Sequence, residues 1–137
     1  MENILVLIEL NYVAVFAASA VSMSIGMLWF SPLIAGPAWL RAMNQSPKDY
    51  TVTPIQLFGE AVGTFVRAWI LAQTLAQFGP LTIADGLIGV AALWLGLIAV
   101  TGFSGVVWGR LPFKAYLICI TGTLLRMLAA TVVLLTL

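Results

Sequence analysis

The chain has 137 residues, 62% of them hydrophobic and 8% charged, with a mean hydropathy of +1.09. Soluble domains carry roughly 25% charged and 45–50% apolar residues, so this composition excludes a water-soluble fold and specifies an integral membrane protein. The net charge of +1 comes without any basic run, which leaves nucleic acid nothing to bind.

Four stretches are long and apolar enough to cross a hydrocarbon core, which takes about 20 residues of helix. The first spans about 9–30, or from Ile4 if the whole apolar run is counted, and ends at Ser31-Pro32. The residues ahead of it hold Glu2 and Glu9 but no Lys or Arg, and the apolar run is too long for a signal peptide, so the N-terminus is expected to stay in the mature fold. Within this span Ala18, Ser22 and Gly26 recur every four residues, a spacing that lets helices approach closely.

The connection at about 33–50 is not an ordinary loop, because Leu33, Ile34, Trp39, Leu40 and Met43 lie among its prolines and glycine. It predicts a short interfacial helix over Pro37–Met43, then a brief turn capped by Ser46. Trp29, Trp39 and Tyr50 suit an aromatic belt at headgroup level, and Trp108 suits the same role farther along.

The second span, about 54–78, opens on a capping box: Thr53 as N-cap, Pro54 at the first helical position and Gln56 three residues after the cap. The third, about 83–108, repeats the pattern with Thr82 and Asp85. Gly89 and Gly96 share a face with Asp85 and Ala92, Gly105 and Gly109 make a further close-approach spacing, and Trp94 reads as bundle filler. The fourth span, about 112–137, is placed to begin at Pro112. The predicted architecture is therefore all-α: one polytopic domain over 1–137, four transmembrane helices in a compact bundle with an interfacial helix in the first connection.

Arg41, Lys48, Arg110 and Lys114 all flank one side of this arrangement, and no Lys or Arg flanks the other. The positive-inside rule then places the long connection in the cytoplasm of a cell-membrane protein, with both termini outside.

The charges within the spans carry the functional question. Glu60 and Arg67 are seven residues apart and face the same way, with Gln56, Gly63, Thr64 and Thr74 near that face. Arg126 shares a face with Cys119, Gly122, Thr123, Ala129 and Ala130. Asp85 fits a helix N-terminus and Glu9 the outer interface, which leaves one acid against two bases inside the bilayer. A charge at the helix centre costs about 2.5–3.5 kcal/mol on the insertion scale, so such residues normally face the bundle interior or a partner. Three readings stay open. An arginine snorkels or bonds to carbonyls and Thr hydroxyls; it meets an acid on another chain; or it holds an anion, lipid headgroup or quinone-like ligand. Glu60 can clamp Arg67 or bridge to Arg126.

With no histidine and Cys119 as the single cysteine, an intrachain disulfide is excluded and neither a metal site nor a cofactor is expected. One carboxylate without a nucleophile or second base is thin ground for an enzyme.

The stretch "LWFSPLIAGPAWLRAM" (28–43) resembles the opening signature of a bacterial membrane family, domain of unknown function 1761, in which aromatic-Ser-Pro ends the first helix and Gly-x-x-Trp follows. "LWLGLIAVTGF" (93–103) and "WGRLPFKAYLI" (108–118) are similar to its third helix and its Gly-Arg-x-Pro-x-Lys turn. The resemblance implies four membrane helices and supplies no function. Members of that family often carry a polar-aromatic-His cluster in the last helix, whereas the matching positions here, about Cys119 to Thr123, hold no histidine. That departure favours a structural role: an accessory or scaffold subunit partnered by the lipid bilayer and by other membrane subunits or copies of itself. The alternative is a homo-oligomeric transporter or channel for an anionic or small polar solute, lined by Glu60, Arg67 and Arg126.

Overall fold

The computed structural model describes residues 9–46, 48, 51–79 and 81–137. The expected belt residue Tyr50, the alternative start at Ile4, and the turn after Ser46 apart from Lys48 lie outside the described residues.

The described chain forms α1 (Tyr12–Trp29), α2 (Gly36–Ala42), α3 (Pro54–Gln77), α4 (Ile83–Leu93), a π-helical segment (Trp94–Ala99), α5 (Val100–Val107) and α6 (Phe113–Thr136). Four spans are long and apolar enough to cross a membrane: α1, α3, the continuous 83–107 rod and α6. The local signals set the starts. Thr53 Oγ1 accepts from the Gln56 amide at 3.3 Å while Gln56 Oε1 accepts from the Thr53 amide at 2.9 Å, a complete capping box. Thr82 Oγ1 accepts from the Asp85 amide at 3.1 Å. Pro112 occupies the residue before α6 rather than its first turn. Asn11 caps α1 through its Oδ1 and donates its Nδ2 to the Leu137 carbonyl at 3.3 Å, so the start of α1 lies beside the end of α6.

α1 and α6 form the principal antiparallel pair. α1 offers Ala14, Ala18, Ser22 and Gly26, all buried, so its small-residue stripe is a packing face as its spacing predicts. α3 packs mainly on α1, and the third span packs on α6. Among the described residues α3 and the third span share no substantial interface, so the ring of helices stays open between them. The core collects Val15 and Ala18 from α1, Ala68, Leu71, Ala72 and Leu75 from α3, Val90 from α4, and Met127 and Ala130 from α6.

Two expectations are corrected by the packing. Gly89 and Gly96 do not meet another helix: both are exposed, with open space where a side chain would begin. Gly105 and Gly109 do not join two helices either; the Gly105 carbonyl accepts from Gly109 at 3.0 Å and Leu111 at 3.0 Å, which closes the turn between α5 and α6.

The connection after α1 turns sharply. Ala35 donates to the Trp29 carbonyl at 2.8 Å and Gly36 to the Ser31 carbonyl at 3.1 Å. A side chain at position 36 would collide with the Phe30 carbonyl, so only glycine fits there. α2 follows, one residue ahead of the expected start, and Trp39 meets Phe30 edge to face at 5.9 Å.

Candidate functional site: the polar centre of the bundle

Arg126 lies on α6, 13 residues after Phe113, and so about 20 Å in from its helix start. Helical side chains lean toward the N-terminus, which swings this one back toward the end of the bundle where α3 begins. It packs on Gly26, where an added Cβ would stand 3.0 Å from both Cζ and Nε of the arginine. There Nε donates to the Ser22 carbonyl at 3.1 Å, Nη2 to Thr64 Oγ1 at 2.6 Å, and Nη1 pairs with Glu60 Oε1 at 2.7 Å. Three helices thus converge on one guanidinium. Thr64 turns its own hydroxyl toward Met23 Sδ at 4.0 Å.

Of the two options for Glu60, the structure takes the bridge to Arg126. The Arg126 side chain is 8% exposed and that of Glu60 is 51% exposed, so the pair runs from the interior to the edge of α3. Arg67 is partly buried one stripe away, close enough for the charges of both Arg126 and Glu60 to act on it. Its Nη1 is buried and has no hydrogen-bond partner. An unsatisfied buried donor costs roughly 1–3 kcal/mol, and more when charged. The surplus cation read from the sequence is therefore Arg67.

Thr123 does not join the cluster. Its hydroxyl donates to the Cys119 carbonyl one turn back on its own helix at 3.0 Å. Cys119 is partly buried within hydrogen-bonding reach of Trp39. Arg41, Lys48, Arg110 and Lys114 are all exposed on the connections and helix starts at the α3-start end. Trp108 is 85% exposed at the end of α5. Trp29, the last residue of α1, donates its indole N–H to the Ile118 carbonyl at 2.9 Å, with the ring pressed on Gly122. Trp94 donates to the Ile120 carbonyl at 2.8 Å in the same manner. Both are keys between spans and α6; Trp94 packs on the core as a bundle filler should, and what an apolar context hides is where each indole N–H will end.

A depression of about 460 Å³ opens at the opposite end, among Asn11, Val15, Ala72, Leu75, Leu81 and Leu135, and none of the clustered charges lines it. Among the described residues no three of His, Cys, Asp and Glu come together as a metal site requires. What the centre can do chemically is hold helices, or attract one more anion.

Residues 13–135 match the family model described as a protein of unknown function, DUF1761. The chain belongs to that family. Neither a curated protein nor a solved structure matches it. In this DUF1761 chain the aromatic-Ser-Pro and Gly-x-x-Trp elements are the sharp turn at Gly36 and the Trp39–Phe30 contact. The Gly-Arg-x-Pro-x-Lys stretch is the α5–α6 turn, where Arg110 takes a left-handed backbone at φ 58°.

Proposed function

We propose that this membrane protein of the DUF1761 family is an accessory or scaffold subunit of the cell membrane, packing within the bilayer against a larger complex of respiratory or photosynthetic type. The observation that carries this reading is the use made of Arg126. Its three donor groups are committed to α1 and α3, so the most polar point of the bundle is an assembly joint and not a reactive centre. The wide apolar faces of α3 and the third span, including Phe58, Val62, Leu97 and Val100, leave much surface for lipid or for other helices. With Arg41, Lys48, Arg110 and Lys114 at one end, the proposed orientation puts both termini on the non-cytoplasmic side.

The test is purification from the native membrane in mild detergent, followed by sizing and mass spectrometry. Recovery with larger membrane subunits in fixed stoichiometry supports the reading. Recovery alone, as a discrete homo-oligomer, transfers the case to a transporter or channel for an anionic or small polar solute. The surplus positive charge beside the open edge of α3 favours that second reading.

A further inference from the structure

Resting on the accessory-subunit reading, we propose that the edge of α3 bearing Gly59, Gly63 and Arg67 docks a transmembrane helix of a partner protein that carries an aspartate or glutamate near mid-bilayer.

The charge comes first. Glu60 is the one acid within the described spans away from a helix start, and its Oε1 is engaged by Arg126. Arg67 remains, partly exposed at this edge, and its buried Nη1 has no hydrogen-bond acceptor. Depth then selects the kind of acceptor. Arg67 is 13 residues from the start of α3 and 10 from its end, about 20 and 15 Å along the axis, which sets it near the middle of a hydrocarbon core about 30 Å thick. Lipid phosphates lie at the edges of that core, and a free anion has half of it to cross. A carboxylate built into a crossing helix is delivered at this depth by its own chain.

A second copy of this chain is a poor occupant. Side by side in the same orientation, a two-fold partner brings its own Arg67 to the same depth, and each copy adds the same surplus cation. The partner must carry the opposite sign.

The surface beside Arg67 suits close helix approach. Gly59 and Gly63 are four residues apart, and nothing lies within 4 Å of where a Cβ would stand on either. Such a pair lets backbones come near one another. Gly63 precedes Arg67 by one turn on the same edge, and the arginine leans back toward it. Val62, Val66 and Ile70 continue the surface as exposed apolar side chains, and the half-exposed Glu60 stands at its inner border. The third span also presents open glycines, Gly89 and Gly96, but the charge on their face is Asp85, an acid at the helix start and not a cation at mid-span.

The experiment uses the full chain in its native membrane, with a photo-crosslinking amino acid at Val66. The expected result is a crosslink to one larger membrane polypeptide, at a transmembrane peptide containing Asp or Glu. Arg67→Gln should lower co-recovery of that polypeptide about tenfold, the effect of one lost polar contact between membrane helices. Neutralising the partner's acid should do the same, and exchanging the two charges should restore assembly. Gly63→Leu should also lower co-recovery while leaving unfolding of the isolated subunit unchanged, which separates lost docking from lost folding. A crosslink to a second copy or to lipid alone overturns the proposal, as does a partner peptide without an acid. Co-recovery that survives Arg67→Gln overturns it too. If the wild-type chain co-purifies with larger subunits that Val66 does not touch, this inference falls and the accessory reading stands. If the chain purifies alone, both fall.

Discussion

Glu60 and Arg126 pair at 2.7 Å across two helices, one side chain half-exposed and the other almost wholly enclosed. The asymmetry determines which partner the fold depends on. Arg126 has two further acceptors inside the bundle, whereas Glu60 has the bilayer edge and Arg67 beside it.

Glu60→Gln leaves the buried Arg126 and the partly buried Arg67 without a counter-charge. The expected cost is about 1–2 kcal/mol, below the 3–5 kcal/mol of a fully buried pair because half of the Glu60 side chain is already outside. Arg126→Met removes all three bonds that tie α6 to α1 and α3, so its cost should exceed that of Glu60→Gln, where the glutamine can still accept from Arg126. Unfolding of both variants in mixed micelles checks the order.

Glycine positions divide by what stands over them. At Gly122 an added methyl would come within 2.5 Å of the Trp29 ring, and at Gly26 within 3.0 Å of the Arg126 guanidinium. Gly122→Ala and Gly26→Ala should each cost about 1–3 kcal/mol as overpacking, with Gly122 the costlier because a ring held by Ile118 cannot flex away. Gly63→Ala meets open space and should leave the isolated subunit unchanged or slightly more stable. The same micelle titration reads all three.

The tryptophans should separate in the same way. Trp29→Phe and Trp94→Phe each forfeit an indole bond to an α6 carbonyl, worth about 0.5–1.5 kcal/mol. Trp108→Phe should change nothing beyond about 0.5 kcal/mol, since that ring is on the surface. Thermal unfolding of the three single variants tests the contrast.

The orientation has its own test. Alkaline phosphatase fused after Leu137 should be active, and the same enzyme inserted after Gln45 should be silent. The reverse pattern would overturn the positive-inside assignment.

The spans and their starts were legible because their signals are local. Thr53, Pro54 and Gln56 form the capping box that their spacing predicts, and Ala18, Ser22 and Gly26 pack as their four-residue repeat requires. The shared face of Glu60 and Arg67 was legible for the same reason. Which of two arginines Glu60 would choose was not, because that depends on how α3 and α6 are placed around α1. Sequence depth alone puts Arg67 and Arg126 level; the seat on Gly26 and Ser22 decides between them. Thr123 had a polar side chain on the right face, and its own helix claimed it. Gly89 and Gly96 show the converse: a small-residue spacing permits close packing without supplying a neighbour.

The π-helical segment at Trp94–Ala99 has a consequence of its own. A π turn holds one more residue than an α turn, so the chain beyond it is advanced in phase by one position, about 100° of arc. That offset presents the Ala99 carbonyl to the Tyr116 hydroxyl, which donates to it, and lets Phe103 stack edgewise on Phe113 and Tyr116 while Gly86 and Val90 still face inward upstream. Removing one residue between Trp94 and Ala99 would restore a regular helix and leave α5 facing α6, because the wide turn is what absorbs that one extra residue. In this rod the wide turn sets the phase: the same residues wound as a regular helix would turn the Ala99 carbonyl and Phe103 away from Tyr116.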